Sequence, residues 1–281
     1  MTTPDRSIGR VAITSGLMFV LLISGCASRT SKDGPPRSGS VIRQHLPSDP
    51  VPRSEPRSRY GNGPVYEVRG KHYRVMKSNY GYKERGVASW YGKKFHGRAT
   101  SSQEISDMPA MTAAHKTLPL PTYVEVRNLR NNKTVIVRVN DRGPFVDKRI
   151  IDLSYSAAKK LDMLKAGTSL VEITTISFDR PPNTSQLHRQ STPTVAQVER
   201  KSTTDNLYVQ VGAFGDKSNA RRRFSLLREH GIRDVFVFEE TGRSPTLYRV
   251  RIGPIANVNQ YDIVVAKLEQ IGIAETHLVT E

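Results

Sequence analysis

Apolar and polar positions alternate with a period of two in several short stretches of this chain. Val135, Val137 and Val139, for example, are separated by Ile136 and Arg138. Successive side chains of a strand leave on opposite faces, so this period predicts strands. VASWYG, TYVEVRNL, KTVIVRVN and SLVEITTISF read as strands, and SYSAAKKLDML reads as one short helix with Ser154 at its N-cap. Mostly β with a single helix across roughly 84–178 predicts a small barrel. Before it, Tyr60 to Lys83 carries tyrosines at 60, 66, 73, 80 and 82 and the alternating segment KHYRV, a lead-in expected to pack on the barrel.

A different pattern follows, with an internal repeat at a shift of 41 residues. The shift places Gly212 on Gly253, Gly231 on Gly272, and the strand VQVGAF on VRIGPI. Ala220, Phe224 and Leu227 fall on Tyr261, Val265 and Leu268, each set at the spacing of one helix face. VFVF falls on THLV, and Gly231 or Gly272 stops the helix in each half. Two βαβ halves predict an α+β module, a four-stranded antiparallel sheet with two helices on one face. Alternation turns Val209, Val211, Val250 and Ile252 toward the helices. It turns Tyr208, Gln210, Arg249 and Arg251 outward, as an exposed patch suited to a polar ligand with stackable rings.

The N-terminus changes the picture. Arg6 and Arg10 precede an apolar run from Val11 to Ile23, and the small residues of ISGC follow at once. This is a secretory signal rather than a membrane-spanning helix. Its ending matches a bacterial lipoprotein signal, in which Cys26 becomes lipidated and N-terminal. Cys26 is the only cysteine, so there is no disulfide framework and no thiol catalyst. Acyl chains gain about 0.8 kcal/mol per buried CH₂, enough for firm anchoring when several are present. Ala27, rather than an acidic residue, suits sorting to an outer membrane. Stretches rich in Ser, Pro, Thr and Gln, over 26–63 and 181–203, are expected to be a disordered basic tether and a linker.

Net charge is +17, distributed unevenly. Residues 1–84 carry 14 Lys/Arg against 6 Asp/Glu, residues 85–180 carry 16 against 9, and residues 181–281 carry 13 against 11. Basicity belongs to the tether and barrel. A polyanion such as nucleic acid is one partner such a chain could take. An extracytoplasmic address argues against it, as does a nearly neutral C-terminal sheet without an RNA-binding aromatic motif.

Acid/base candidates in the barrel are Glu104, Asp141, Asp147 and Asp152, with His115. Asp141 stands where a strand ends in VNDRGPF, beside Arg142, whose charge lowers a carboxyl pKa while burial raises it. Two carboxylates beside a sugar can hydrolyse a glycoside; one acid suffices where the substrate supplies its own nucleophile. His96, His115 and Glu104 match no zinc spacing, so no metal or other cofactor is expected.

GVASWYG, FHGRATSSQE, TAAHKTLPLP, VNDRGPF and RIIDLS resemble the double-psi β-barrel domain of the rare lipoprotein A family, related to the barwin and expansin folds. VQVGAF and YRVRIGP resemble the strands of a sporulation-related repeat, or SPOR domain. The resemblance implies a signal peptide over 1–25 and an anchored tether over 26–63. It implies a six-stranded double-psi barrel with its lead-in over 64–180, then a linker over 181–203 and a SPOR module over 204–281. It further implies a lytic transglycosylase acting on peptidoglycan glycan strands without stem peptides and leaving 1,6-anhydro ends. Such an enzyme works at the division septum, on the periplasmic face of the outer membrane, with divisome proteins as candidate partners. By motif position Asp141 is the acid, Glu104 a base or charge-stabilising group, and His115 a positioning group. Ser102-Gln103 stands where the family has Asn-Gly, a pair that favours a tight turn with positive φ, so Glu104 is expected to be presented differently. The alternative function is a glycan-binding septal lipoprotein without catalysis, because the fold also serves wall-loosening proteins.

Overall fold

The computed structural model describes residues 46–146, 148–178, 206–241 and 245–281. The signal segment, Cys26, the 26–45 part of the tether, Asp147 and the 181–203 linker lie outside the described residues.

Two short strands, β1 (Val65–Val68) and β2 (Lys71–Arg74), form an antiparallel hairpin in the lead-in. Six strands then close a barrel: β3 (Lys83–Trp90), β4 (Thr112–His115), β5 (Thr122–Asn128), β6 (Thr134–Asp141), β7 (Arg149–Leu153) and β8 (Thr168–Ile176). Their order is β3-β7-β4-β6-β5-β8, with β3/β7 and β4/β6 parallel and the other adjacent pairs antiparallel. Val135, Val137 and Val139 are buried together with Val124, Val126, Ile151, Leu153 and Ile173. Each such side chain contributes about 1.5–3 kcal/mol on burial, so the barrel is a filled core rather than a channel. The single helix α1 (Tyr155–Lys160) starts as expected, with Ser154 Oγ accepting from Ala157 N, and it buries Ala157 and Ala158.

β4 and β7 were not among the segments read as strands. TAAH has four residues and little β-branching, and RIID interrupts its apolar run with a charge. Neither segment shows alternation by itself, and closure of the barrel supplies both with two partners.

The 46–63 stretch also departs from expectation. It is irregular, but it is tied to the barrel as a strap by polar groups rather than apolar ones. Asp49 accepts from Ile136 N at 2.7 Å and pairs with Lys160 at 2.6 Å. Ser58 N donates to Leu120 O at 2.8 Å, and Asn62 Nδ2 to the same oxygen at 2.7 Å. Composition predicts disorder from a lack of apolar residues, and it cannot register attachment of this kind.

The C-terminal module is a four-stranded antiparallel sheet with two helices. Its elements are β9 (Leu207–Phe214), α2 (Lys217–Glu229), β10 (Val235–Glu240), β11 (Leu247–Ile252), α3 (Val258–Gln270) and β12 (His277–Thr280), in the order β10-β11-β9-β12. Val209, Val211, Val250 and Ile252 are buried, as are Ala220, Leu227 and Leu268.

The opposite sheet face is not the exposed patch its pattern predicted. Tyr208 and Gln210 are only 9% exposed and Arg251 only 7%. These side chains lie across one another. The Tyr208 ring meets Phe236 edge-on at 5.2 Å, and the Arg251 guanidinium covers Phe238 at 4.5 Å and pairs with Glu281. Arg249 pairs with Glu240 at 2.7 Å. Strand alternation assigns the face; cross-strand pairing decides how much of it meets solvent.

Candidate active site

Asp141 ends β6, and three donors converge on one of its oxygens. Ser101 N at 2.7 Å, Ser101 Oγ at 2.6 Å and Arg142 N at 2.7 Å all donate to Oδ1. Oδ2 accepts no hydrogen bond from a described residue. The Ser101 donors come from a loop between β3 and β4, and the register places Asp141 beside Ala114 of β4. A rigid strand end and a pinned loop thus fix this carboxylate from two sides.

Glu104 lies on the same loop as Ser101. Arg138 Nη1 donates to both of its oxygens, at 2.9 and 2.7 Å, and Asn140 Nδ2 donates to Oε2 at 2.8 Å. Burial pulls the Glu104 pKa upward, but the guanidinium and the amide outweigh it and hold the carboxyl below its ordinary value. Glu104 is therefore an ionised group at neutral pH. The turn that carries it forms without Asn-Gly: Gln103 itself takes φ 69° and donates from its N–H to Thr100 O at 2.9 Å. A non-glycine residue pays about 1–2 kcal/mol for that conformation. The departure from the family pattern thus costs local strain, while Glu104 still reaches Arg138 and Asn140.

His115 is brought to neither acid. Its ring is 2% exposed, and Nδ1 accepts from Thr117 N at 3.2 Å and Leu118 N at 3.0 Å. That assigns the proton of the neutral ring to Nε2, which faces the Tyr82 hydroxyl at 3.2 Å and Glu84 at 3.8 Å. Burial lowers its pKa, against the pull of Glu84. His115 instead shapes the turn whose carbonyls receive Arg142. Arg142 Nη1 donates to His115 O at 3.2 Å and Leu118 O at 2.5 Å, and Arg142 N is one of the three donors to Asp141. The link from His115 to the acid therefore runs through a backbone turn and one arginine.

Asp152, on β7, pairs in register with Ala114, the residue that also flanks Asp141. Burial pushes its pKa up, opposed by a hydrogen bond from the Ser89 hydroxyl and by the charge of Arg149. His96 is placed elsewhere, beside Asp107 at 3.5 Å. Among the described residues no three His, Cys, Asp or Glu side chains gather as a metal site. Sequence reasoning missed Arg138 and Ser101. Arg138 had a signal, an arginine alternating with buried valines two residues before Asn140, but nothing along the chain says which acid it meets.

A closed double-psi barrel with carboxylates at a strand end and on a loop, followed by a SPOR-type module, defines a cell-wall-directed class of protein, and the comparisons make the class specific. The family model described as lytic transglycolase matches residues 83–173, and the SPOR domain model matches 203–276. The endolytic peptidoglycan transglycosylase RlpA of Pseudomonas aeruginosa strain PAO1 is 35% identical over 304 residues, covering 87% of this chain and 89% of that protein. The protein of the same name from Vibrio cholerae is 51% identical over 170 residues, which is 59% of this chain and 64% of the relative. A crystal structure of the RlpA SPOR domain from Pseudomonas aeruginosa covers 26% of this chain and 96% of that one, at 27% identity and a TM-score of 0.25. The chain belongs to the RlpA family of peptidoglycan transglycosylases.

Proposed function

We propose that this chain is a lytic transglycosylase that cleaves the bond between N-acetylmuramic acid and N-acetylglucosamine in peptidoglycan strands lacking stem peptides. The observation that carries this reading is the asymmetry of Asp141. Three donors occupy Oδ1, so a proton on this carboxyl resides on Oδ2, the oxygen to which no described residue donates. As that proton passes to the glycosidic oxygen, negative charge develops on Asp141 and the three preset hydrogen bonds strengthen.

In the proposed step the C1–oxygen bond of N-acetylmuramic acid breaks, and the leaving oxygen takes the Asp141 proton. The sugar's own 6-hydroxyl oxygen bonds to C1 and closes a 1,6-anhydro ring without water. The 6-hydroxyl proton passes to a carboxylate, either to ionised Glu104 or back to the Asp141 carboxylate while Glu104 balances positive charge at C1. His115 and Arg142 position the Asp141 turn.

The C-terminal sheet would hold glycan strands through Tyr208, Gln210, Arg249 and Arg251. Arg251 Nε is buried and has no hydrogen-bond partner, so a sugar would use this donor only where the Arg251 contacts with Phe238 and Glu281 give way. Lipidated Cys26 would anchor the chain to the periplasmic face of the outer membrane, with the sheet concentrating it at septal strands.

The test is mass analysis of denuded glycan strands after incubation with the full chain or its Asp141→Asn variant. Products ending in anhydro-N-acetylmuramic acid are expected, falling about 10²–10⁴-fold in the variant. Folded protein that binds these strands and releases no product would replace this reading with the binding-only one.

A further inference from the structure

The strap reaches Glu104 through the guanidinium of Arg138. Arg138 lies between two carboxylates: Nε and Nη2 donate to Glu55 at 3.2 and 2.8 Å, while Nη1 donates to both oxygens of Glu104. The Tyr123 hydroxyl also donates to Glu55, and Arg53 Nε does so at 3.4 Å. The Glu55 side chain is 15% exposed and that of Arg138 20%, against 40% for Glu104. One cation is thus shared by two anions, and its pair with Glu55 is the less screened by water.

Two consequences follow. The fork of Glu55 fixes the plane of Arg138, and with it the direction of Nη1 toward Glu104. Glu55 also takes up part of the guanidinium charge, so Glu104 keeps more negative charge than it would with Arg138 to itself. The strap touches the support of the other acid as well. Arg142 Nε donates to Gly61 O at 2.8 Å, and Gly61 has φ +75°. A Cβ there would lie 2.8 Å from Ser101 O, on the residue that supplies two of Asp141's donors.

Building on the transglycosylase reading, we infer that Glu55 is a positioning residue for the reaction, acting on Glu104 through Arg138, and that the strap is part of the catalytic site. Its charge is present at every physiological pH. The Arg138 hydrogen bonds, against burial and with help from Tyr123, hold the Glu55 pKa down to about 2. The charged and titratable groups that face this pair are Arg138 on β6, Glu55, Arg53 and Tyr123 around the strap, and Glu104 on its loop; Asn140 adds a neutral donor. Glu55 acts on Glu104 in the direction of a raised pKa. Nothing in hydropathy or motif would find this residue, since it sits in a stretch that composition reads as a disordered spacer.

The test compares the full chain with its Glu55→Gln, Glu55→Asp and Asp49→Asn variants. Anhydro-product formation is followed across pH, beside the ¹³C titration of the Glu104 carboxyl in glutamate-labelled protein. Glu55→Gln is expected to lower kcat about 10- to 100-fold with little change in KM. It should move the acid limb of the profile, and the Glu104 titration, to lower pH. Glu55→Asp should give intermediate values, and it decides the matter if Glu55→Gln does not fold. Asp49→Asn loosens the strap at Ile136 N and Lys160, contacts other than Arg138, and should leave the limb in place. An unmoved limb and titration in the Glu55 variants, or an equal loss of kcat from Asp49→Asn, would overturn the inference. Absence of anhydro product from the unaltered chain would instead overturn the transglycosylase reading, with the carboxyl titration still deciding whether Glu55 governs Glu104.

Discussion

At the scale of single residues, Arg142 carries more of this site than its place in VNDRGPF suggests. Along the chain it reads as a charge beside Asp141. In the fold its guanidinium is spent on carbonyls of Gly61, His115 and Leu118, and its backbone N–H is what serves the acid. Asp141 and Glu104 were legible because a motif names them; the donors that Ser101 and Arg138 supply around them are singled out by no spacing. His115 makes a pH prediction. Burial lowers its folded-state pKa below the 6.5 of an unfolded chain, with Tyr82 and Glu84 facing Nε2 and the charges of Arg142 and Lys116 nearby. Well above that pH the ring is neutral in both states and its contribution to stability is complete. As pH falls through it, the unfolded chain binds a proton that the folded chain does not, and stability drops. Urea unfolding between pH 7.5 and 5.5 should show this loss, and a His115→Gln variant should show less of it. Equal pH dependence in the two would contradict the assignment of a neutral, accepting Nδ1.

At the scale of elements, the 41-residue repeat survives down to individual hydrogen bonds. In α2, Gly231 N donates to Arg228 O at 3.0 Å and Ile232 N to Leu227 O at 3.0 Å. In α3, Gly272 N donates to Glu269 O at 3.0 Å and Ile273 N to Leu268 O at 2.8 Å. Both are Schellman endings, with the glycines at φ +74° and +78°. Either Gly→Ala substitution forces a Cβ into that conformation and should cost about 1 kcal/mol, lowering the module's unfolding midpoint by about 4–8 °C. Calorimetry of the full chain checks this, and an unchanged midpoint would refute the motif. Elements with a local signal, such as these helices, β5, β6 and the Ser154 cap, could be read from sequence. β4 and β7 could not, because their stability is non-local: two barrel neighbours each rather than a pattern of their own.

At the scale of the whole molecule, the order of a barrel followed by a βαβ-repeat module was visible in motifs and repeat, while the role of the strap was not. A fragment beginning at residue 64 would discard Asp49, Glu55, Ser58, Gly61 and Asn62, and with them the partner that shares Arg138 with Glu104. The 46–63 segment is thus more than the spacer its composition describes, because it holds groups on which the site rests. The central claim concerns the fate of one oxygen atom. Cleavage of denuded strands by the full chain in H₂¹⁸O, followed by mass spectrometry, tests it most directly. An anhydro end closed by the sugar's own 6-hydroxyl carries no solvent oxygen, so unlabelled products one water lighter than reducing-end fragments are the expected result. Products bearing ¹⁸O at a reducing end would contradict it and mark the protein as a hydrolase.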